Sequence, residues 1–157
     1  LERFGGHAMA AGLTIPADRL AAFREAFAAA LTEALGGELP QMRVDTDGAL
    51  ATEELSLETA SALRYGGPWG QGFPEPRFDG VFGIRRSRTL RGGHLRLELT
   101  PADSGSPAWP AIAFGGVAQG WDRLTGPVRV VYSPEVNRFR GAASLQLRID
   151  FMVEEHG

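Results

Sequence analysis

The fold of this chain is decided by residues 78–99, which read FDGVFGIRRSRTLRGGHLRLEL. Apolar and polar residues alternate from His94 to Leu99 and, in part, from Phe78 to Ile84, and this period of two predicts a strand in each segment. Arg91-Gly-Gly93 lies between them, and glycine accepts the backbone angles that tight turns require. The stretch therefore predicts two strands separated by a turn.

The second half of the chain contains three more segments with a strand pattern, which are Ala111–Phe114, Val128–Tyr132 and Ser144–Ile149. Turn residues separate them, as at Gly126-Pro127 and Arg140-Gly141. Five short strands at this spacing predict a small sandwich or barrel, and a five-stranded barrel that binds oligonucleotides is one natural candidate. The polar residues expected on the outer face are Arg96, Glu98, Arg129, Gln146 and Arg148.

The first part of the chain has a helical pattern instead. Apolar residues recur on one face from Leu20 to Leu35, after Pro16 and Asp18, which are typical of a helix start. Gly36-Gly37 ends this helix in the usual way. The segment Leu13-Thr-Ile15 has the composition of a short strand. Helices and strands together predict the fold class α+β.

A second helix is predicted from Leu57 to Tyr65, with Ser56 as its N-cap residue. It is followed by residues 66–76, whose three prolines and four glycines do not allow regular structure. Trp69 and Phe73 lie in this loop, and a free linker would rarely carry two large aromatic residues. We therefore expect the loop to pack down and to fix the angle between two unequal parts of the chain.

The composition excludes several classes of protein. None of the 157 residues is a cysteine, which rules out a disulfide scaffold and a thiolate metal site. No segment approaches the roughly 18 apolar residues that span a bilayer, and no basic-then-apolar leader is present. We therefore expect a soluble, cytoplasmic protein with no membrane partner.

The net charge of −3 hides an asymmetry along the chain. Residues 1–60 contain four arginines and ten acidic residues, whereas residues 61–157 contain twelve arginines and nine acidic residues. All sixteen basic residues are arginine, and guanidinium groups suit phosphate binding and base stacking better than ammonium groups do. The later basic residues cluster at Arg85, Arg86, Arg88, Arg91 and Arg96.

A second distinctive stretch is Phe4-Gly-Gly-His-Ala-Met-Ala-Ala-Gly12. Its adjacent glycines let the backbone approach a ligand closely, and His7 can donate or accept a hydrogen bond near neutral pH. The small residues that follow could begin a helix whose free N–H groups complete an anion pocket, with phosphate as the expected anion. Met9 is expected in the core. On local chemistry alone, a structural turn is the commoner explanation of such a triplet.

The sequence contains no pattern typical of a metal site. Its three histidines, His7, His94 and His156, are widely separated. Asp45 and Asp47 have no histidine nearby and are expected at a strand end. We therefore expect no metal and no cofactor in this chain.

Several motifs, taken in their order along the chain, resemble those of RecJ-type exonucleases. Gly5–Gly12 is similar to the signature of DHHA1, the C-terminal lobe that accompanies Asp-His-His phosphoesterases. The later motifs that carry the resemblance are Gly67–Gly80, His94–Leu97, Ala111–Phe114, Asn137–Gly141 and Ser144–Leu147. Trp69 with Phe73 resembles the proteobacterial branch, whereas many family members carry asparagine in place of Phe73.

The resemblance implies that this sequence is part of a larger enzyme. RecJ-type exonucleases degrade single-stranded DNA from its 5′ end in repair and recombination, and their catalytic lobe holds Mn²⁺ or Mg²⁺. This chain lacks that N-terminal lobe, which is then its missing partner, and by itself is expected to be inactive. The implied domains are the end of a DHHA1-type lobe at residues 1–41 and an OB-fold barrel at residues 42–157.

The resemblance assigns Gly5, Gly6 and His7 to a phosphate of the substrate strand. In the barrel we expect a groove for single-stranded DNA, where cations track the backbone and aromatic rings stack on bases. The expected cations are Arg85, Arg86, Arg88, Arg91, Arg96, Arg138 and Arg140. The expected aromatic platforms are His94, Tyr132 and Phe139. Trp109 and Trp121 are expected to pin the barrel instead.

Three alternatives to DNA binding by the barrel stay open. The arginines could form an ordinary solvated face with a few exposed ion pairs. The barrel could be a protein-docking module, for example for the acidic tail of single-strand-binding protein. It could also be a structural brace within the enzyme, in which case arginine substitutions would have no effect on binding.

Overall fold

The computed structural model describes residues 2–37, 43–101 and 107–155. The chain divides into two units, Leu1–Val44 and Asp45–Gly157. The first unit contains a strand pair and one long helix, and the second contains a short helix and a five-stranded sheet. The predicted α+β fold class is therefore confirmed.

The glycine-rich stretch forms an antiparallel strand pair, in which β1 (Arg3–His7) pairs with β2 (Ala10–Thr14) and Gly6 lies opposite Ala11. The predicted helix start after the glycines is therefore wrong. Those small residues form the turn and β2, where cross-strand hydrogen bonds use N–H groups that a helix start would leave free. The predicted strand at 13–15 overlaps only the end of β2.

The predicted long helix is confirmed as α1 (Leu20–Ala34), which begins after one 3₁₀ turn. Its apolar stripe includes Phe23 and Phe27, whose stacked ring centroids lie 5.6 Å apart. The predicted end at Gly36-Gly37 is also confirmed, because both residues take positive φ angles, 68° and 87°. Glycine adopts this conformation without the steric cost that a Cβ atom would bring.

None of residues 2–37 is buried. Met9 is 95% exposed, so its predicted place in the core is wrong. A helix and two short strands cannot bury an apolar face without a second layer, and a unit of this size has none. Between the strand pair and α1 lies an apolar groove, whose lining includes Phe4, Leu13, Phe23 and Phe27.

The second unit contains a closed barrel of five strands, as predicted. The strands are β3 (Phe78–Leu90), β4 (His94–Pro101), β5 (Trp109–Ala113), β6 (Pro127–Phe139) and β7 (Ala142–Glu154). Their order around the barrel is β3-β4-β5-β7-β6, and β6 pairs with β3 to close it. Neighbouring strands are antiparallel except β5 and β7, which are parallel.

Three strands extend five to seven residues further than predicted, β3 to Leu90, β6 to Phe139 and β7 to Glu154. The β3 extension is exposed over most of its length, so the apolar alternation of a half-buried strand is lost there. The β6 extension is buried at Ser133 and Pro134 and becomes exposed only at Arg138 and Phe139. The turn between β6 and β7 is confirmed at Arg140 and Gly141, whose φ angles are 51° and 83°. Two consecutive residues with positive φ suit the two-residue turns that join antiparallel strands.

The barrel interior is filled by the apolar residues that alternate with polar ones. Leu95, Leu97 and Leu99 on β4 are buried, whereas Arg96 between them is exposed. Each fully buried leucine stabilises the fold by about 1.5–3 kcal/mol relative to an exposed one. The other predicted outer residues are likewise exposed or half-buried, namely Glu98, Arg129, Gln146 and Arg148.

Tyr132 lies inside the barrel, and its predicted role as a base platform is therefore wrong. It is 1% exposed, and its ring meets that of Phe82 edge-on with centroids 5.5 Å apart. The alternation of β6 explains this burial, because Tyr132 follows Val128 and Val130 at a period of two and all three side chains face inward. Burial raises the pKa of Tyr132 to about 12.

The second predicted helix is α2 (Leu57–Tyr65), and the Ser56 side chain caps it by accepting the Thr59 N–H at 3.1 Å. The loop at 66–76 then packs onto α2, as expected. Trp69 stacks on Phe73 with centroids 4.8 Å apart. The indole N–H of Trp69 also donates to the Leu63 carbonyl at 2.8 Å. Whether the loop also fixes an angle between the two units stays a prediction.

The other two tryptophans pin the barrel, as predicted. Trp109 is buried, and its indole N–H donates to the Leu55 carbonyl at 3.2 Å. Trp121 packs against the core and meets the Phe151 ring edge-on with centroids 6.3 Å apart. Neither ring is presented as a platform for bases.

Val130→Ala should destabilise the barrel much more than Val153→Ala. Val130 is completely buried and Val153 is largely exposed, so only the first substitution leaves a cavity. We expect Val130→Ala to lower the free energy of unfolding by about 1.5–3 kcal/mol and Val153→Ala by less than about 0.5 kcal/mol. Urea unfolding followed by circular dichroism measures both. Equal losses would contradict the assigned inner and outer faces.

The burial of Tyr132 should make the fold sensitive to alkaline pH. Its pKa is about 12 in the folded chain and about 10 in the unfolded chain. The Tyr132 hydroxyl therefore stays protonated to a higher pH when the chain is folded. The stabilisation is complete below about pH 10 and is lost as the pH rises toward 12, by up to about 3 kcal/mol. Urea unfolding at several pH values should show this slope. The same slope in Tyr132→Phe would contradict the assignment.

Candidate nucleic-acid interface

A β-bulge decides which arginines of β3 lie on the outer face. Ile84 lies opposite Leu99 and Arg86 lies opposite Glu98, which leaves Arg85 as an extra residue without a partner on β4. One inserted residue shifts the alternation of a strand, so every side chain beyond it changes face. Arg86, and not Arg85, therefore shares the outer face with Glu98.

Beyond the bulge, two arginines lie directly opposite each other, Arg88 on β3 and Arg96 on β4. Opposed residues on one face have Cβ atoms about 4.5–5.5 Å apart, so these guanidinium groups repel each other. Arg86 is next to them and makes only a long contact of 4.0 Å with Glu98. We call Arg86, Arg88 and Arg96 the arginine face; with Leu97 and Glu98 they line a shallow depression.

The arginine face differs from two other arginines of the barrel, Arg129 and Arg148. Arg129 donates to Asp79 at 2.8 Å and to Glu155 at 3.2 Å. The hydrogen bonds with Glu155 and then with Asp79 raise the pKa of Arg129 above its ordinary value. Its charge is therefore neutralised by two carboxylates of the same unit.

Arg148 lies in a second neutralised cluster, with carboxylate oxygens of Glu135, Asp150 and Glu75 at 3.2, 3.5 and 3.6 Å. Burial raises the pKa of Glu135, against the lowering effect of the Arg148 charge. By contrast, no carboxylate within the described ranges pairs with Arg85, Arg88, Arg91, Arg96, Arg138 or Arg140. Six of the seven candidate cations thus have no carboxylate partner there, and the seventh, Arg86, has only the long contact with Glu98.

His94 has a structural hydrogen bond. Its Nδ1 accepts the Gly115 N–H at 3.0 Å, which joins the start of β4 to the turn after β5. The same ring meets Phe114 edge-on, with centroids 5.3 Å apart. His94 is half-buried, so its proposed role as a stacking platform stays a prediction, while Phe114 is 61% exposed. Sequence reasoning missed Phe114, because it was assigned only as the end of a strand.

The other predicted aromatic residue lies at the β6–β7 turn. Phe139 is 67% exposed, and the guanidinium carbon of Arg140 lies 5.2 Å from the centre of its ring. Arg138 is exposed beside it. Five-stranded barrels that bind oligonucleotides use a surface made of three parts. These are the turn between the last two strands, which is the turn described here, the turn between the first two strands, and the face of strands two and three. In this barrel those parts are the turns at 140–141 and 91–93 and the face of β4 and β5.

The glycine motif lies in the first unit, and the two sets of candidates therefore belong to different units. A Cβ atom on Gly6 would lie 2.8 Å from the Ala11 Cα, so the strand pair itself requires glycine there. Gly5 has no atom within 4 Å of the position of a Cβ, and His7 is exposed. Gly5 and His7 are therefore open to a ligand. The role of Gly5, Gly6 and His7 as phosphate contacts stays a prediction.

The described residues form neither a metal site nor a membrane-spanning helix. Within 2–37, 43–101 and 107–155, no group of three or more His, Asp or Glu side chains is placed to hold a metal ion. The residues present there do not fit the metal pair that the resemblance implies, and no step of metal-dependent hydrolysis is derived from them. None of the helices in those ranges has both the length and the hydropathy needed to cross a membrane.

The comparisons with known proteins identify the family and support the fold of the barrel. The family model described as the RecJ OB domain matches residues 46–150. The single-stranded-DNA-specific exonuclease RecJ of Escherichia coli (strain K12), a proteobacterial relative, is 42% identical over 149 residues, which cover 94% of this chain and 26% of that protein. The chain thus spans about a quarter of the length of the curated relatives it matches.

Comparison with solved structures also points to RecJ. The crystal structure of RecJ from Thermus thermophilus in complex with Mn²⁺ matches 99% of this chain with a TM-score of 0.63 at 25% identity, and the chain covers 22% of it. The Mg²⁺ complex matches with a TM-score of 0.60. The predicted OB-like barrel and the resemblance to RecJ are confirmed. Because the family model matches well over half of its residues, the chain belongs to the RecJ OB domain family.

Proposed function

We propose that this chain is the C-terminal part of a metal-dependent exonuclease that degrades single-stranded DNA from its 5′ end in repair and recombination, and that its barrel binds the strand. The names of the curated relatives support the parent activity, and the Thermus complexes with Mn²⁺ and Mg²⁺ support the use of a metal. Because bacterial DNA lies in the cytoplasm, the enzyme would act there. Hydrolysis would belong to the part of the enzyme outside this chain.

The observation that carries DNA binding is the pair of opposed arginines, Arg88 and Arg96, without a carboxylate among the described residues. Like charges directly opposite each other in a sheet destabilise it. Elsewhere in the same barrel Arg129 and Arg148 are neutralised, so the unpaired face is not a general property of this surface. A polyanion bound along the outer face of β3 and β4 would supply the missing negative charge.

The glycine motif would contribute a second contact. Gly5 leaves space for a phosphate to approach the backbone, and the exposed imidazole of His7 can donate a hydrogen bond to it. Together with the barrel, such a contact would hold the strand so that the next phosphodiester bond lies at the catalytic lobe. Orientation of a substrate in this way lowers a reaction barrier by several kcal/mol.

The rest of the parent enzyme would cover the apolar groove of the first unit. Phe4, Leu13 and Phe27 are exposed in this chain, and the curated relatives contain almost three times as much additional polypeptide. An apolar surface of this kind is typical of a face that packs against another element. The catalytic lobe is therefore the proposed protein partner of the first unit.

Arg88→Gln should weaken the binding of single-stranded DNA and leave the barrel as stable as before, or slightly more stable. The substitution removes a phosphate contact and also the repulsion with Arg96. We expect the dependence of affinity on salt to fall by about 0.7 in its logarithmic slope, the value for one phosphate on a single strand. Fluorescence anisotropy with a labelled strand of about 16 nucleotides and thermal melting measure the two effects.

The matched control is Arg64→Gln, which removes an exposed arginine of α2 whose guanidinium carbon lies 5.9 Å from the Tyr65 ring centre. Its binding should equal that of the unsubstituted chain. No binding of a single strand at low salt would contradict the proposal. So would equal effects of the two substitutions. If Arg88→Gln abolished binding of an acidic peptide and spared DNA, the face would be a protein-docking site instead.

A further inference from the structure

We infer that Phe114 is a stacking platform for one unpaired nucleobase and that His94 is its positioning residue. The inference rests on the proposed function, since it adds a base contact to the phosphate contacts of the arginine face. Phe114 directly follows β5, in which Ala111, Ile112 and Ala113 are all buried. Phe114 itself is 61% exposed, which is unusual for a phenylalanine next to a barrel core.

The segment that carries Phe114 is held in place on both sides. Gly115 turns the chain with a φ of 67°, and its N–H donates to Nδ1 of His94 at 3.0 Å. Val117 donates its N–H to the Gly93 carbonyl at 3.1 Å, which ties this segment to the β3–β4 turn. An aromatic ring on an anchored segment loses little conformational entropy when it binds a ligand.

The packing of the turn leaves it little freedom. A Cβ atom on Gly116 would lie 2.8 Å from Cδ1 of Leu95, a buried residue of β4. The His94 ring meets Phe114 edge-on at 5.3 Å and supports it from one side. Phe114 as a whole remains 61% exposed, so much of its surface is open to a ligand. A base could stack there without any rearrangement of the barrel.

The pairing register places Phe114 beside the arginine face. Arg96 and His94 lie two residues apart on β4 and share its outer face, and the Phe114 ring contacts that of His94. Residues two apart on a strand are separated by about 7 Å, and neighbouring strands by about 4.8 Å. Phosphates on Arg88 and Arg96 would therefore leave an adjacent base within reach of Phe114. Cations beside an aromatic ring are the usual composition of a single-strand groove.

Phe114→Ala should weaken the binding of a single strand by about 5- to 150-fold, the range for loss of one stacked base. Phe114→Trp should bind at least as tightly as the unsubstituted chain, because a larger ring still stacks. The salt dependence should be unchanged in both, since no charge is removed. His94→Ala should give a smaller loss of the same kind. Fluorescence anisotropy titrations with the whole 157-residue chain measure these effects.

A strand with abasic residues in place of bases is the diagnostic ligand. On this ligand, Phe114→Ala, His94→Ala and the unsubstituted chain should bind equally, because only stacking is lost. Tyr65→Ala, which removes an exposed ring of α2, is the control and should bind both strands normally. Melting curves check that each variant is folded. A Phe114→Ala variant that loses affinity for the abasic strand as well has a general defect, and the inference is then wrong.

The outcomes separate this inference from the proposed function. If the unsubstituted chain binds no single strand at low salt, both are wrong. If it binds and Arg88→Gln weakens binding while Phe114→Ala stays within twofold of the unsubstituted chain, DNA binding stands and Phe114 is not a platform. If both substitutions weaken binding, and only Arg88→Gln changes the salt dependence, both proposals are supported.

Discussion

The alternation of β4 is the constraint on which the second unit depends. Leu95, Leu97 and Leu99 fill the interior, and burial of these three side chains leaves Arg96 and Glu98 no position except the outer face. Since β4 pairs with both β3 and β5, its register also decides what lies beside those polar residues. One buried apolar row thus sets both the stability of the barrel and the composition of its candidate binding surface.

The bulge at Arg85 acts on the same surface. A regular β3 would present Arg85 and Ser87 outward and would turn Arg86 and Arg88 toward the interior, where an unpaired charge is very costly. The extra residue resolves this conflict and at the same time concentrates guanidinium groups on one face. The barrel therefore tolerates a repulsive pair at the arginine face while it neutralises Arg129 and Arg148 with carboxylates elsewhere. Such a local cost is expected where a surface is built to bind an anion.

The two units differ in how complete they are as folded bodies. The barrel encloses a continuous core, whereas none of residues 2–37 is buried. The first unit has regular secondary structure, a strand pair and a helix with a glycine-terminated end, but no second layer for its apolar face. Its stability is therefore expected to come from the polypeptide that we propose packs on that face in the parent enzyme. The phosphate contact proposed at Gly5 and His7 would depend on the same packing.

The sequence by itself determined the elements with a strong local signal. Both helices, with the Ser56 cap and the Gly36-Gly37 end, follow from side-chain chemistry within a few residues, as do the five strands. The resemblance to RecJ was carried by several motifs in their order along the chain. The sequence also contains the alternation that places Tyr132 on the same inner face as Val128 and Val130, although Tyr132 was predicted as a base platform.

Only the tertiary structure decided which residues meet across strands. The opposition of Arg88 and Arg96 depends on a bulge that no local pattern marks, and the contact of His94 with Phe114 depends on the register of β4 against β5. The small residues after His7 became a strand because pairing with β1 satisfied backbone groups that a helix start leaves free. Residues that pair across strands are distant in sequence, and the energy of their contacts contributes only when the chain is folded.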